Sequence, residues 1–422
     1  MKMRKVGCVS LGCPKNLVDS ERILAKLIQK GVPLTSPEDA DVVIVNTCAF
    51  LLSAREEARE TIEYWHSRGK KIIVMGCLAT YFKEKLKEIF PYIEGSLGVG
   101  DLERIEEVVE KGIFLHEKEG NNYLPSRFIS TFPYAYLKIN EGCSNRCSYC
   151  LIPSLRGEHR SYPFDLLIEE ARVLVESGIK ELIIVGQDTA VYEYQGKRLI
   201  HLLRELSSLE GLEWIRVMYF HPLHISEELI EEIAQNPRVV KYMDIPFQHC
   251  NDKILKLMNR RISREDISRL VEKLRRRIPH LTLRTTLIVG FPGEGRKEFE
   301  ELKEFVKEMR FDHLGVFSFS PEPGTSAFHL SPQLEEREKE RRRREIYDLQ
   351  KEIVMSKNRS LKGKVVRVLI TWTRDGEWAG RSEREAPEID GEIRGRGKVK
   401  VGDMVRVRIK SVEGYRLEGE LV

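Results

Sequence analysis

Apolar residues in the first third of the chain come in short unbroken runs, each followed by a polar break and then by apolar positions three and four apart. Val6 to Ser10 is the first run; Leu11-Gly12-Cys13-Pro14-Lys15-Asn16 follows, then a helical pattern through Ile23, Leu24, Leu27 and Ile28 that stops at Gly31. The unit recurs at Asp41 to Thr47 with a helix to about His66, and at Lys71 to Met75 with a helix from about Tyr81 to Phe90. It appears once more at Gly95 to Gly98, with a helix from about Leu102 to Lys111. Unbroken apolar strands alternating with amphipathic helices predict a parallel sheet covered on both faces. Residues 1–120 are therefore expected to form an open α/β domain.

From Tyr134 strand and helix alternate six times. The pattern predicts strands at Tyr134 to Ile139, Glu181 to Val185, Trp214 to Tyr219, Tyr242 to Ile245, Thr282 to Val289 and His313 to Phe319, with helices such as Phe164 to Ser177 and Glu227 to Ala234 between them. Six such units over residues 130–333 make an incomplete barrel. Residues 334–359 are dense in Glu, Arg and Lys at helical spacing, with sparse apolar positions Ile346, Leu349, Ile353 and Val354, so a long exposed linker helix is expected. Its run Arg341 to Arg344 is balanced by Glu335, Glu336, Glu338, Glu340 and Glu345, which favours a solvated face over an RNA contact. Beyond Gly363, short strands at Val365 to Ile370, Gly391 to Ile393, Asp403 to Ile409 and Arg416 to Leu421 predict a small antiparallel β-barrel over residues 360–422.

Composition narrows the function without fixing it. The 422 residues carry 70 Lys+Arg against 66 Asp+Glu, a formal charge of only +4, so the chain lacks the basic excess of a protein held mainly by phosphates. The terminal barrel has 14 Lys+Arg and 11 Asp+Glu, which argues mildly for a protein partner; Trp372 and Trp378 are its candidates for stacking on RNA. No apolar run approaches the roughly 20 residues that span a bilayer, and the apolar stretch behind Met1 to Lys5 is broken too early for a signal peptide. Eight cysteines are too few for a disulfide scaffold and point to a reducing compartment, the cytoplasm.

Six of those cysteines form two sets. Cys143, Cys147 and Cys150 stand in a polar loop with three and then two residues between them, a spacing that wraps three thiolates around one face of a [4Fe-4S] cluster and leaves its fourth iron without a protein ligand. Zinc is the competing reading, although a structural zinc site has four ligands and the nearest histidine is His159. Cys13, Cys48 and Cys77 each follow the carboxyl end of a predicted strand. In an open parallel sheet those ends share one edge, where ligands bind, so the three should converge on a second metal site. Cys8, inside the first strand, reads as a core residue. His249 and Cys250 follow the fourth barrel strand and read as structural. The arginines of Arg156-Gly157-Glu158-His159-Arg160-Ser161 face either the cleft or solvent.

The Cys143, Cys147 and Cys150 spacing, with aromatic Tyr149 before the last cysteine, resembles the radical S-adenosylmethionine (SAM) superfamily. With three dispersed cysteines upstream and a β-rich tail, the whole chain resembles the radical SAM methylthiotransferases. The resemblance implies a radical SAM partial (βα)6 barrel, a TRAM-like terminal barrel, two [4Fe-4S] clusters and SAM as cofactors. It implies that Cys143, Cys147 and Cys150 carry the catalytic cluster and Cys13, Cys48 and Cys77 the auxiliary one. By the same resemblance, Gly186, Gln187, Arg284 and Tyr149 are candidate SAM-binding residues. The runs Ser10 to Ser20 and Asp244 to Lys253 look more like the branch that methylthiolates the β-carbon of an aspartate in small-subunit ribosomal protein twelve (RimO-like) than the branch acting on tRNA adenosine. Implied partners are that ribosomal protein, a flavodoxin or ferredoxin as reductant, and RNA at the terminal barrel, with no membrane. A non-catalytic Fe-S RNA-binding module is the remote alternative.

Overall fold

The computed structural model describes residues 4–120 and 123–422. Its first sheet runs β1 (Val6–Ser10), β2 (Val42–Thr47), β3 (Lys71–Gly76) and β4 (Gly95–Leu97), in that order and all parallel. Both faces are covered: Val43, Val45, Ile72 and Val74 pack with Ala58, Ile62 and Trp65, while Val42, Ile44, Ile73 and Met75 meet Ile23, Leu27 and Val108. Two-sided burial is why these strands show no alternation. The helix expected from Tyr81 to Phe90 starts earlier and is broken, into Cys77–Phe82 and Lys85–Ile89. The break falls at Lys83, whose φ of +51° leaves the helical region.

The second sheet comprises β5 (Tyr134–Lys138), β6 (Glu181–Val185), β7 (Trp214–Val217), β8 (Val239–Asp244), β9 (Thr282–Val289) and β10 (His313–Ser318). They lie side by side in parallel, with β5 and β10 as open edges. Strand β8 begins three residues before the expected Tyr242 because Lys241, which interrupts the apolar run, turns its Nζ onto the carbonyls of Ile233, Asn236 and Val239 at 2.6–3.0 Å. Leu182, Ile184, Ile215, Met243, Leu283 and Leu287 pack outward under the helices. On the concave face, Tyr136, Ile183, Trp214, Val240 and Tyr242 are covered by Val18 of the first domain and by Leu369 and Ala386 of the terminal barrel.

The charged helix, Glu336–Arg359, is not a freely exposed linker. Ile346, Gln350, Ile353 and Val354 are buried, and Ile346 and Ile353 join the core that contains Phe299, Val306 and Val316. Lys339 and Arg342 also point inward; Arg342 Nη1 reaches Glu294 Oε1 at 2.6 Å. Arg341, Arg343 and Arg344 pair with glutamates of their own helix. Buried cations on this face made its apolar stripe look sparse.

Strands β11 (Val365–Arg374), β12 (Glu377–Arg381), β13 (Ile393–Arg396), β14 (Met404–Glu413) and β15 (Arg416–Leu421) close into a barrel in the order β11-β12-β13-β15-β14. The β13–β15 pair is parallel and the other neighbours antiparallel. The unexpected β12 follows a tight turn at Asp375 (φ +51°) and Gly376 (φ +77°), where two positive φ values suit an Asp-Gly hairpin. Trp378 fills the barrel core at 1% exposure, so it is no stacking platform; Trp372 is 46% exposed. After β12 the chain enters the concave face of the larger sheet, where Arg381 meets Glu181 at 2.6 Å and Tyr242 Oη donates to Asp390 at 2.7 Å.

Candidate active site

The register of the first sheet places three cysteines together. Thr47 pairs with Gly76 across β2 and β3, so Cys48 and Cys77 leave adjacent strands at one level. Ser10 lies opposite Asn46, and Leu11-Gly12 carries the chain over to Cys13. Cys13 caps the helix Pro14–Gln29, with Pro14 at its start, where the missing N–H is one the helix cannot use. Gly12, at φ +86°, passes close to Cys48: a Cβ there would lie 2.8 Å from Cys48 Cβ.

At the carboxyl end of β5 the chain turns through Gly142 (φ +72°) and Arg146 (φ +53°), and each of the next three thiols receives an N–H donor. Asn145 Nδ2 lies 3.4 Å from Cys143 Sγ, Arg260 Nη1 3.4 Å from Cys147 Sγ, and the Ile152 amide 3.5 Å from Cys150 Sγ. Cys13, Cys48, Cys77, Cys143, Cys147 and Cys150 all line one cavity of about 320 Å³ between the two sheets. Lys15, Asn16, Phe50, Tyr219 and Gln248 line the same cavity, and the Lys15 ammonium stands 3.9 Å from the Tyr219 ring centre.

A buried charge network ties the two halves of this cavity. Arg156 Nη1 donates to Asp19 at 3.2 Å and to both oxygens of Glu141 at 3.0 Å, and its Nη2 donates to Asn16 Oδ1 at 2.6 Å. Lys138 Nζ completes it, 2.5 Å from Asp19 and 2.7 Å from Glu141. Two cations and two anions balance in the interior, where an unpaired charge would be costly. Asn16 Nδ2 in turn donates to the carbonyls of Leu11 and Thr47, the approaches to Cys13 and Cys48. Glu322 forms a second tie, accepting from the Leu52 amide at 2.9 Å and pairing with Arg55 at 2.6 Å.

Among the candidate SAM residues, Gln187 and Tyr149 line the cavity, and Gln187 Nε2 donates to Glu141 Oε1 at 3.0 Å. Gly186 lies behind it, allowing close approach: a Cβ there would meet Asn140 Oδ1 at 2.2 Å. Arg284 sits below the cavity, paired with Asp244 at 3.4 Å and Asp390 at 3.5 Å. His249 faces Glu294 at 3.1 Å and Cys250 is buried near the Glu301 carbonyl, both away from the cavity. Cys8 packs partly buried against the first-domain core. Of the disputed arginines, Arg156 lines the cavity, whereas Arg160 borders a separate cleft with Tyr123 and Pro163.

Sequence reasoning overlooked Asn145, Asp188, His221, His224 and Arg260. Asp188 Oδ2 accepts from Asn145 at 2.9 Å and lies 2.6 Å from His224 Nδ1, and its Oδ1 accepts from the His221 amide. The signal for Asp188, His221 and His224 was the polar segments after β6 and β7, residues 186–189 and 221–224; Asn145 and Arg260 carried none. Burial, then Arg260, holds the His221 pKa down at about 3.

The Cys143, Cys147 and Cys150 thiols fit an iron-sulfur cluster better than a single ion. Tetrahedral zinc holds thiolates about 3.8 Å apart, given bonds of about 2.3 Å; among the described residues, the set of three potential ligands with all donor atoms within 4.8 Å is Asp188, His221 and His224, and neither cysteine triad meets that limit. Three thiols, each with an N–H donor to sulfur, match the ligand set and hydrogen bonding of a [4Fe-4S] cluster. Burial and mutual repulsion push the Cys48 thiol up to about 12, and burial pushes Cys143 up to about 11. Burial also raises Cys13, but Lys15 and Arg156 outweigh it and bring its pKa below the ordinary value.

Known proteins align with this architecture segment by segment. Residues 137–306 match the Radical SAM superfamily, residues 5–98 the Uncharacterized protein family UPF0004, and residues 363–422 the TRAM domain. A solved radical S-adenosylmethionine methyltransferase, TsrM from Kitasatospora setae, shares the fold with a TM-score of 0.56 at 14% identity, covering 74% of this chain and 72% of that one. The "Ribosomal protein uS12 methylthiotransferase RimO" of Acetivibrio thermocellus is 45% identical over 99% of this chain and 98% of its own length. That of Thermoanaerobacter sp. is 44% identical over 99% of this chain and 100% of its own. Similarity of this extent, spanning all three domains and both cysteine sets, places the chain in the RimO family of radical SAM methylthiotransferases.

Proposed function

We propose that this enzyme attaches a methylthio group to the β-carbon of an aspartate in ribosomal protein uS12, with Cys143, Cys147 and Cys150 holding a catalytic [4Fe-4S] cluster and Cys13, Cys48 and Cys77 a second one. The observation that carries this reading is the convergence of both triads on one cavity of about 320 Å³, because joining a sulfur to a substrate carbon requires the radical and the sulfur to meet at one place. A cluster with an open iron supplies, with SAM, the one-electron cleavage that generates a 5′-deoxyadenosyl radical.

The chain's own residues bind and exclude. An apolar lobe of about 190 Å³, lined by Phe50, Tyr149, Gln248, Ile288, Phe317 and Phe319, adjoins the cavity and suits a purine ring. Gln187, oriented by Glu141, presents its amide to the cavity. Arg156 and Lys138 fix the separation of the triads through Asp19 and Glu141. Phe50, Tyr219, Phe220 and Ile152 keep the walls largely apolar, which protects a radical from water.

A low-potential flavodoxin or ferredoxin is the reductant in this reading, and the compartment is the cytoplasm; among the described residues no helix is long and apolar enough to cross a membrane. The terminal barrel, with exposed Trp372, contacts ribosomal RNA. Mass spectrometry of ribosomal proteins and tRNA from cells lacking the gene tests the substrate: uS12 should lose the mass of a methylthio group, and loss from tRNA alone would sink the assignment. Reconstituted protein should hold about eight irons, from two four-iron clusters.

A further inference from the structure

Six arginines are buried among the described residues, and five have a carboxylate partner. Arg22 pairs with Glu170 at 3.0 Å, Arg156 with Glu141 at 3.0 Å, Arg216 with Glu181 at 2.7 Å, Arg342 with Glu294 at 2.6 Å and Arg381 with Glu181 at 2.6 Å. Arg260, at 4% exposure, is the exception among the described residues. Its Nη2 donates to the Pro246 carbonyl at 2.5 Å, its Nε has no partner, and its Nη1 points at Cys147 Sγ at 3.4 Å. A guanidinium cannot shed its proton in a protein, and a buried charge without a counter-charge is strongly disfavoured. Asp188 acts on Arg260 only from beyond ion-pair distance, so the folded chain holds a cation with no direct carboxylate partner, aimed at a metal-ligand position.

The surrounding backbone is built to keep it there. Arg260 lies between Asn259 (φ +55°) and Arg261 (φ +52°), two left-handed residues whose strain has to be offset by their surroundings. The segment is bound to the cysteine loop at two points: the Ser148 amide donates to the Met258 carbonyl at 3.0 Å, and Asn259 Nδ2 donates to the Arg146 carbonyl at 2.8 Å. The other triad has no equivalent. Arg156 also stands beside a thiol, that of Cys77, but its charge is balanced by Asp19 and Glu141.

We propose that Arg260 is the counter-charge of the cluster at Cys143, Cys147 and Cys150, and that it raises the cluster's reduction potential; the inference rests on the reading that this triad holds a [4Fe-4S] cluster. One-electron reduction makes such a cluster more negative, so a fixed cation within hydrogen-bond distance of a ligand sulfur stabilises the reduced form more than the oxidised one. In a dry site that attraction is little screened. Arg260 is thus a positioning residue: it acts through Cys147 and the cluster's charge.

The test uses the full-length C13A/C48A/C77A variant, which leaves one triad, with dithionite as electron source and the midpoint potential followed by electron paramagnetic resonance. About four irons per chain are expected in that background; their absence would overturn the cluster reading and this inference with it. Given the cluster, adding R260Q should lower the midpoint potential, and R260K should restore most of it. An R260Q potential equal to that of the background would overturn the role of Arg260 alone. Should R260Q fail to assemble the cluster, R260K decides: assembly near the parent potential supports the counter-charge, and failure there too overturns it.

Discussion

Replacing Arg156 by Met removes one cation from a balanced buried quartet. Asp19 and Glu141 would then share Lys138 alone, leaving a net negative charge in a site where every member is 3% exposed or less. Breaking a buried pair in this way costs about 3–5 kcal/mol, far above the loss of packing from an arginine stem. The cost should depend on pH. Burial raises the Glu141 pKa, but Arg156 and Lys138 outweigh it and hold the carboxyl well below its ordinary range. In the native chain Glu141 therefore contributes stability that is present above the ordinary carboxylate pKa and lost only as pH falls through its depressed value. Without Arg156 the burial effect gains weight, the pKa climbs, and proton uptake relieves the unbalanced charge at mildly acidic pH. Urea unfolding of cluster-free protein, followed by tryptophan fluorescence, should show a larger R156M penalty at about pH 7.5 than at about pH 5.5. The double variant R156M/E141Q keeps the Lys138–Asp19 pair, so it should be less destabilised than the sum of the single variants, by about 1–3 kcal/mol. A penalty below about 1 kcal/mol, or one equal at both pH values, would refute the network as the tie between the domains.

Gly12→Ala should lower iron content by about half, because the new Cβ would sit 2.8 Å from Cys48 Cβ at a φ of +86°; full iron loading by chemical analysis would contradict this. Trp378→Ala should cost about 3–5 kcal/mol, while Trp372→Ala should stay within about 0.5 kcal/mol, as read from thermal melts of the two variants. His221, held down at about 3 from an ordinary 6.5, stays neutral in the folded chain. Its contribution to stability is present above the unfolded value and is lost as pH falls from there towards 3, since only the unfolded state takes up the proton. Nitrogen-detected NMR should find a neutral imidazole at about pH 6, and a titration near the ordinary value would overturn that assignment.

The local units are legible in the order of residues alone. Unbroken apolar runs gave the strands of both parallel sheets, and those runs lie within a residue or two of β1, β2, β3, β5, β6 and β9, because burial on two faces leaves an unmistakable pattern. That order also identified which cysteines leave strand ends. What it could not contain was distance: Cys13 and Cys143 are far apart in the chain, and only the register of one sheet and the docking of two domains bring all six thiols to a single cavity. Where inward-facing side chains are charged, the pattern misleads. Lys339 and Arg342 made a packed helix look solvated, and Lys241 hid the start of β8, since a cation can be buried once a glutamate or a set of carbonyls meets it. Arg284, a candidate ligand contact by resemblance, also meets Asp244 on the neighbouring strand and Asp390 on the segment that follows β12, a pairing that sequence order does not show. The carboxylates that balance Arg156 come from two separate segments, and the lack of a carboxylate within ion-pair distance of Arg260, where Asp188 acts only from farther off, is a property of the folded interior. Tertiary structure decided the electrostatics of the site because charge balance depends on which side chains share a dry volume, and sequence order does not specify that.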